Sequence, residues 1–260
     1  MIKGKYICDI TDVEFSNIRV SELHKNLSQP TAFIEYKYDD NIFSRLDVQI
    51  EPIILTSYGV PSRNDKFYSS DACRNFIKIP LDPNQEEYIK LRKHLEAADV
   101  WAGSDEIRKK LFGSRWKKYI YHPVIKSFTP CEEEEIINTN KKQRLIKMDY
   151  VKMKLDLEKS VDNVFNVKQI FNNSLNRYIN PCTLDHLTSQ IKYMSKIKIL
   201  FSYNKIWCSQ SPLIESNKFM YGLGLKIQHI EYGSGLYNNI DTELCANIDK
   251  VDQHYITIEI

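Results

Sequence analysis

The residues in this chain best placed to do chemistry are lysines and aromatic rings that share short segments. The stretch KKLFGSRWKKYIYHPVIK, residues 109–126, sets six Lys or Arg residues around Trp116, Tyr119 and Tyr121. Two further segments repeat the combination: Tyr150-Lys152-Lys154, and Tyr193 to Trp207 with Lys196 and Lys198. Cations hold phosphates, and flat side chains stack on exposed bases at roughly 1–3 kcal/mol per base without a hydrogen-bond code. The pattern therefore points to sequence-tolerant binding of single strands. Each segment alone also fits a solvated strand face kept soluble by lysine; the repetition favours the binding reading. Stacking is assigned to Trp116, Tyr119, Tyr121, Tyr150 and Trp207. Phosphate contacts are assigned to Lys109, Lys110, Arg115, Lys117, Lys118, Lys152, Lys154, Lys196 and Lys198.

Other constellations are weak. Neither HExxH nor a Cys/His group at zinc spacing occurs, and GLGLKI lacks the third glycine of a dinucleotide fingerprint. Cys182 and His186 stand four apart at ligand-like spacing on an expected helix, a pair that a packed helix surface explains better. The EEEE run at 132–135 reads as a solvated loop. The expectation is a protein that is not an enzyme and needs no cofactor or metal.

The net charge of +2 is small, but it is unevenly spread. Residues 105–126 hold two acids and seven bases, whereas residues 233–260 hold five acids and one base. Six scattered cysteines without a CxxC pair, behind an N-terminus that lacks a signal-peptide core, indicate free thiols in a reducing compartment. No apolar run approaches the roughly 20 residues of a membrane helix.

The elements that must carry these residues are mixed. Residues 31–38, 45–58, 76–81, 117–126, 148–157, 196–209 and 219–232 read as strands, as does the C-terminal HYITIEI. Asp82-Pro83-Asn84-Gln85 has the form of a helix start, followed by Tyr88, Leu91, Leu95 and Ala98 at helical spacing. Ser104 can cap a second helix that Gly113 stops, and Thr183 a third with Leu184, Leu187, Ile191 and Met194 inward. Residues 158–182 read as irregular. Glycines 222 and 224 suit a bend in a small barrel or close approach by another group. A single domain over 1–260, with its core at about 31–232, accounts for the pattern.

The run PLDPNQEEYIKLRKHLEAADVWAGSDEIRKKLFG leads into KKYIYHPVIK, MDYVKMKLDL, KYMSKIKILFSYNKIWCSQ and FMYGLGLKIQHIEY. In this order the segments resemble single-stranded DNA-binding proteins of large nucleocytoplasmic DNA viruses. The similarity spans roughly residues 76–232 with a gap at 158–182, and is sharpest at GSDEIRKKLFG and at Lys-Ile-Trp followed by Tyr-Gly-Leu. The resemblance implies a mainly β, α+β fold built on an OB-type closed Greek-key barrel with helices near 83–112 and 184–194. It further implies the coating of exposed strands during viral DNA replication in the infected-cell cytoplasm, with single-stranded DNA (or RNA) as partner. Viral replication proteins and further copies of the chain are additional partners to expect. The chain departs from bacterial strand coaters in ending on HYITIEI rather than a flexible acidic tip. The alternative is a virion structural or scaffold protein, whose lysine–tyrosine strands pack on neighbouring subunits; an enzyme with a dispersed site ranks third.

Overall fold

A computed structural model describes residues 6–63, 68–127, 148–159, 165–180 and 182–233. The EEEE run, Cys131, Cys245 and the expected terminal strand HYITIEI lie outside them. In chain order the strands are β1 (Ile7–Asp9), β2 (Ile18–Val20), β3 (Thr31–Asp39), β4 (Ile42–Ser44), β5 (Asp47–Gln49), β6 (Ile53–Ile54) and β7 (Phe76–Pro80). Helices α1 (Glu86–Gly103) and α2 (Asp105–Phe112) follow, then β8 (Tyr119–Tyr121), β9 (Ile125–Lys126), β10 (Tyr150–Lys154), β11 (Leu157–Lys159), β12 (Phe165–Val167), β13 (Ile170–Asn172) and β14 (Arg177–Tyr178). Helix α3 (Leu184–Gln190), β15 (Lys196–Cys208) and β16 (Phe219–Gly233) complete the described chain.

The fold is mostly β, with a sheet curled as a half-barrel and few helices. Its spine is the long antiparallel hairpin β15–β16. Along one side of β15 lie β6, β5 and β3 in turn; along the far side of β16 lie β13, β10 and β8. Beyond β10 comes β7, antiparallel, with Lys152 opposite Lys78. Alternation gives each strand an inner and an outer face. The inner residues Ile197, Ile199, Phe201 and Tyr203 of β15, and Val151 and Met153 of β10, are fully buried. They pack with α1, whose Tyr88, Leu91, Leu95, Ala98 and Ala102 are fully buried as well. At about 1.5–3 kcal/mol per buried large apolar side chain, this layer dominates the fold's stability.

Three side-chain ties fix the layer. The Tyr203 hydroxyl and His94 Nε2 share a buried hydrogen bond of 2.8 Å between β15 and α1. Arg92 of α1 meets Asp149 at 2.8 Å. Arg74, fully buried, donates to Asp71 at 2.7 Å and to Asp185 of α3 at 2.6 Å, which fastens the loop before β7 to a distant helix.

Several local expectations need correction. Helix α1 begins at Glu86, not at Pro83, and Gln85 caps it without a side-chain bond. Asp82 instead accepts from the Asn84 backbone N–H at 2.9 Å, an Asx turn that competes with helix initiation. Ser104 and Thr183 do cap, accepting from the N–H of Ile107 and of His186. Gly113 does end α2, at φ +53°. Helix α3 stops at Gln190, and Met194 sits beyond it at φ +64°. Residues 117–126 are not one strand: Gly113–Lys118 is a 3-10 turn, and β8 and β9 are short pieces flanking Pro123. Likewise 45–58 divides into β5 and β6 around Pro52. Residues 158–182, expected to be irregular, contribute to β11 and form β12, β13 and β14.

Candidate nucleic-acid interface

The outer face of the half-barrel collects lysines from several strands. From β7 comes Lys78, from β9 Lys126, from β10 Lys152 and Lys154, from β15 Lys205 and from β16 Lys226. Lys152 stands directly across from Lys78, and Lys154 directly across from Lys226. Like charges placed so are destabilising in themselves. Lys226 is neutralised by Asp156 at 3.0 Å. The other five form no salt bridge with a described residue. Burial and neighbouring cations act together on three of them. Burial, and then Lys78 and Lys154, push Lys152 below the ordinary lysine range. Burial lowers Lys126 and Lys205 too, assisted by Lys152 and Lys154 respectively, although Asp99 opposes the shift at Lys126.

Rings are set among these cations. Tyr58 and Tyr150 pack 5.1 Å apart, and the Lys78 ammonium lies 5.1 Å from the Tyr150 ring. Tyr58 reaches this place from a left-handed backbone, φ +62°, which is strained for a bulky residue. The Lys152 ammonium sits 3.6 Å from the Phe76 ring centroid. At the other end of the face lies Trp207, across from Gly222. A Cβ on Gly222 would stand 2.8 Å from the His122 carbonyl oxygen and 3.0 Å from the indole. Glycine is thus what lets the indole lie down on the strand, where its Nε1–H donates to the Leu223 carbonyl at 3.3 Å. Gly224 gives Lys205 the same freedom, its absent Cβ falling 3.2 Å from the lysine stem. Phe33 of β3, directly across from Lys205, is 48% exposed.

A β-bulge decides which face Trp207 occupies. Strict alternation from Ile197 would carry an odd-numbered Trp207 into the core. The register shift between Tyr203 and Lys205 inserts Asn204 and reverses the parity, so Lys205 and Trp207 face outward while Ile206 and Cys208 are buried.

The residues expected from sequence divide into four groups. Tyr150, Lys152, Lys154 and Trp207 meet on this face. Lys196 and Lys198 share its side of β15 but lie roughly 36 and 30 Å from Trp207 at about 3.3 Å per residue, and Lys198 stands across from Glu231. The segment 109–118 forms a separate cluster: Trp116 has the charged groups of Arg108 and Lys109 5.1 Å from its ring and Lys117 at 5.7 Å, with Lys110, Arg115 and Lys118 exposed nearby. Tyr119 and Tyr121 are spent on packing. Tyr119 stacks on Phe112 at 3.6 Å and on Phe219 at 5.3 Å. The Tyr121 hydroxyl donates to Asp99 at 2.6 Å while its ring packs on Tyr221. Lys117, in the 3-10 turn, does not sit beside them on a strand face.

Sequence reading passed over Lys78, Phe33 and Tyr58, and it gave no role to Lys126 and Lys205, although both lie inside the segments it singled out. Lys78 and Phe33 were legible as outward positions of alternating strands, in FIKIPL and TAFIEYKY. Tyr58 carried no signal, because its backbone conformation is not written in residue type. Cys182 is buried and His186 exposed, so that pair does not converge. Among the described residues no group of three or more His, Cys, Asp or Glu side chains could hold a metal ion, and no helix is long and apolar enough to cross a membrane.

No protein-family model matches the chain. It is similar to a protein of Acanthamoeba polyphaga mimivirus that is itself named only as uncharacterized, at 28% identity over 256 residues. The match covers 90% of this chain and 62% of the relative, so the chain spans less than two thirds of that protein's length.

Proposed function

We propose that this protein binds single-stranded nucleic acid, DNA foremost, on the outer face of its half-barrel. The observation that carries the reading is the five lysines that form no salt bridge with a described residue, interleaved with rings on one sheet face. Their mutual repulsion is a cost of folding that a polyanion removes on binding. From β3 across β15, β16 and β10 to β7 is four inter-strand steps, roughly 19 Å at about 4.8 Å each, a path on which a strand's phosphates can meet lysines while its bases rest on rings. A duplex keeps its base faces covered and cannot use Trp207 or Tyr150 as platforms. The viral relative and the resemblance to viral strand coaters support a role in coating exposed DNA during viral replication in the infected-cell cytoplasm. An OB-type closed barrel belongs to the same proposal, supported by the curled sheet and by the glycines of β16.

The test is fluorescence anisotropy with labelled oligo-dT and an equally long duplex. Tight binding confined to the single strand supports the proposal. Absence of binding to either at low salt refutes it and leaves the virion structural reading.

A further inference from the structure

A second basic site lies in an open cleft of 440 Å³ between β2, β3, β4 and α2. Arg19, Lys37 and Lys110 line it together with Asp40, Phe43, Ile18 and the polar pair Ser16 and Asn17. The Arg19 guanidinium lies 3.7 Å from the Phe43 ring centroid, flat packing that uses the group's face and leaves the N–H donors of its edge free. Glu35 stands across from Arg19 in the strand register, yet no salt bridge joins them. Lys37 is held by Asp40 at 2.7 Å. Lys110 comes from the last turn of α2 and has no ionic partner among the described residues.

Three cations, Arg19, Lys37 and Lys110, line the cleft against one lining carboxylate, Asp40, and with Glu35 across the strand from Arg19 the balance stays positive. We infer that it binds a phosphomonoester, whose terminal oxygens suit the Arg19 fork. A bridging phosphodiester offers two unbridged oxygens where a phosphomonoester offers three, and matches the cleft less well. The shared chemistry has two sources: a free phosphorylated small molecule such as a nucleotide, or the terminal phosphate of a nucleic-acid strand. The inference does not depend on the lysine face.

The whole chain is titrated by calorimetry with inorganic phosphate and with thymidine 5′-monophosphate, and by anisotropy with oligo-dT carrying either a 5′-phosphate or a 5′-hydroxyl. Binding of the monophosphate identifies a free ligand. A preference of roughly tenfold for the 5′-phosphorylated strand identifies a strand end. Either must be lost in Arg19→Ala and in Lys110→Ala, and weakened in Arg19→Lys, which keeps the charge but not the fork. Asp40→Asn releases Lys37 and should tighten binding, a gain that a misfolded variant cannot mimic. Failure of both the monophosphate and the end phosphate to bind overturns the inference, even where oligo-dT itself binds. Binding that survives both Arg19→Ala and Lys110→Ala overturns it too.

Discussion

Lys152→Gln isolates the charge of one central lysine. Its ammonium lies over Phe76 and faces Lys78 across the strand pair. Glutamine keeps most of the stem that covers Phe76 and removes only the charge, so the fold should hold or gain slightly as the repulsion from Lys78 and Lys154 disappears. Binding should respond in its salt dependence. If five lysines each neutralise one phosphate, log affinity falls with log salt at a slope of about −3.5, at roughly −0.7 per single-strand phosphate. Between about 50 and 200 mM salt that is a loss of roughly a hundredfold. Without Lys152 the slope flattens to about −2.8 and the loss to roughly fiftyfold. Anisotropy of labelled oligo-dT across a salt series reads both values. A variant that is folded, binds, and keeps the parent slope refutes the assignment of this lysine to phosphate.

Trp207→Ala should weaken oligo-dT binding by about 1–3 kcal/mol, the worth of one stacked base, with the salt slope unchanged. Gly222→Ala should lift the indole, since the new methyl would stand 3.0 Å from it; tryptophan fluorescence and oligo-dT affinity should both change. His94 is buried and its pKa is lowered to about 4 by desolvation. The unfolded chain, titrating near 6.5, binds more protons between those values, so stability is complete above about pH 6.5 and falls as pH drops toward 4, by about 3 kcal/mol at most. Urea midpoints at a series of pH values read this loss, and His94→Gln should flatten it. Arg74→Ala removes the fully buried side chain that joins Asp71 to Asp185 and should cost about 1–3 kcal/mol, read by thermal unfolding, through the lost packing and hydrogen bonds rather than through a stranded charge, since both carboxylates reach solvent.

What was legible in the sequence was whatever follows from local period and capping. Tyr150-Lys152-Lys154 alternates in a strand without bulges, so its outward set was readable directly, and Ser104, Thr183 and Gly113 mark helix ends by chemistry that acts within a turn. Trp207 was pooled with lysines by composition, whereas strict alternation would have buried it; only the Asn204 bulge, set by pairing with β16, turns it outward. Tyr121 reads like a binding ring by composition, yet Asp99, 22 residues earlier on α1, claims its hydroxyl. The strands β12 to β14 are two or three residues long, too short for local propensity to reveal; β12 pairs with β11 and β14 with β13, while β13 alone of the three reaches a distant strand, β16. The lysine face is likewise a long-range product: β7, β10, β15 and β16 contribute residues more than a hundred positions apart.

Photo-crosslinking of the protein to an oligonucleotide containing 5-iododeoxyuridine, with the attached peptides identified by mass spectrometry, tests the central claim most directly. Crosslinks at Trp207, Tyr150 or Phe33, lost when the duplex replaces the single strand, are the predicted result. Crosslinks confined to the Trp116 segment, or none above background, would contradict the outer sheet face as the binding surface.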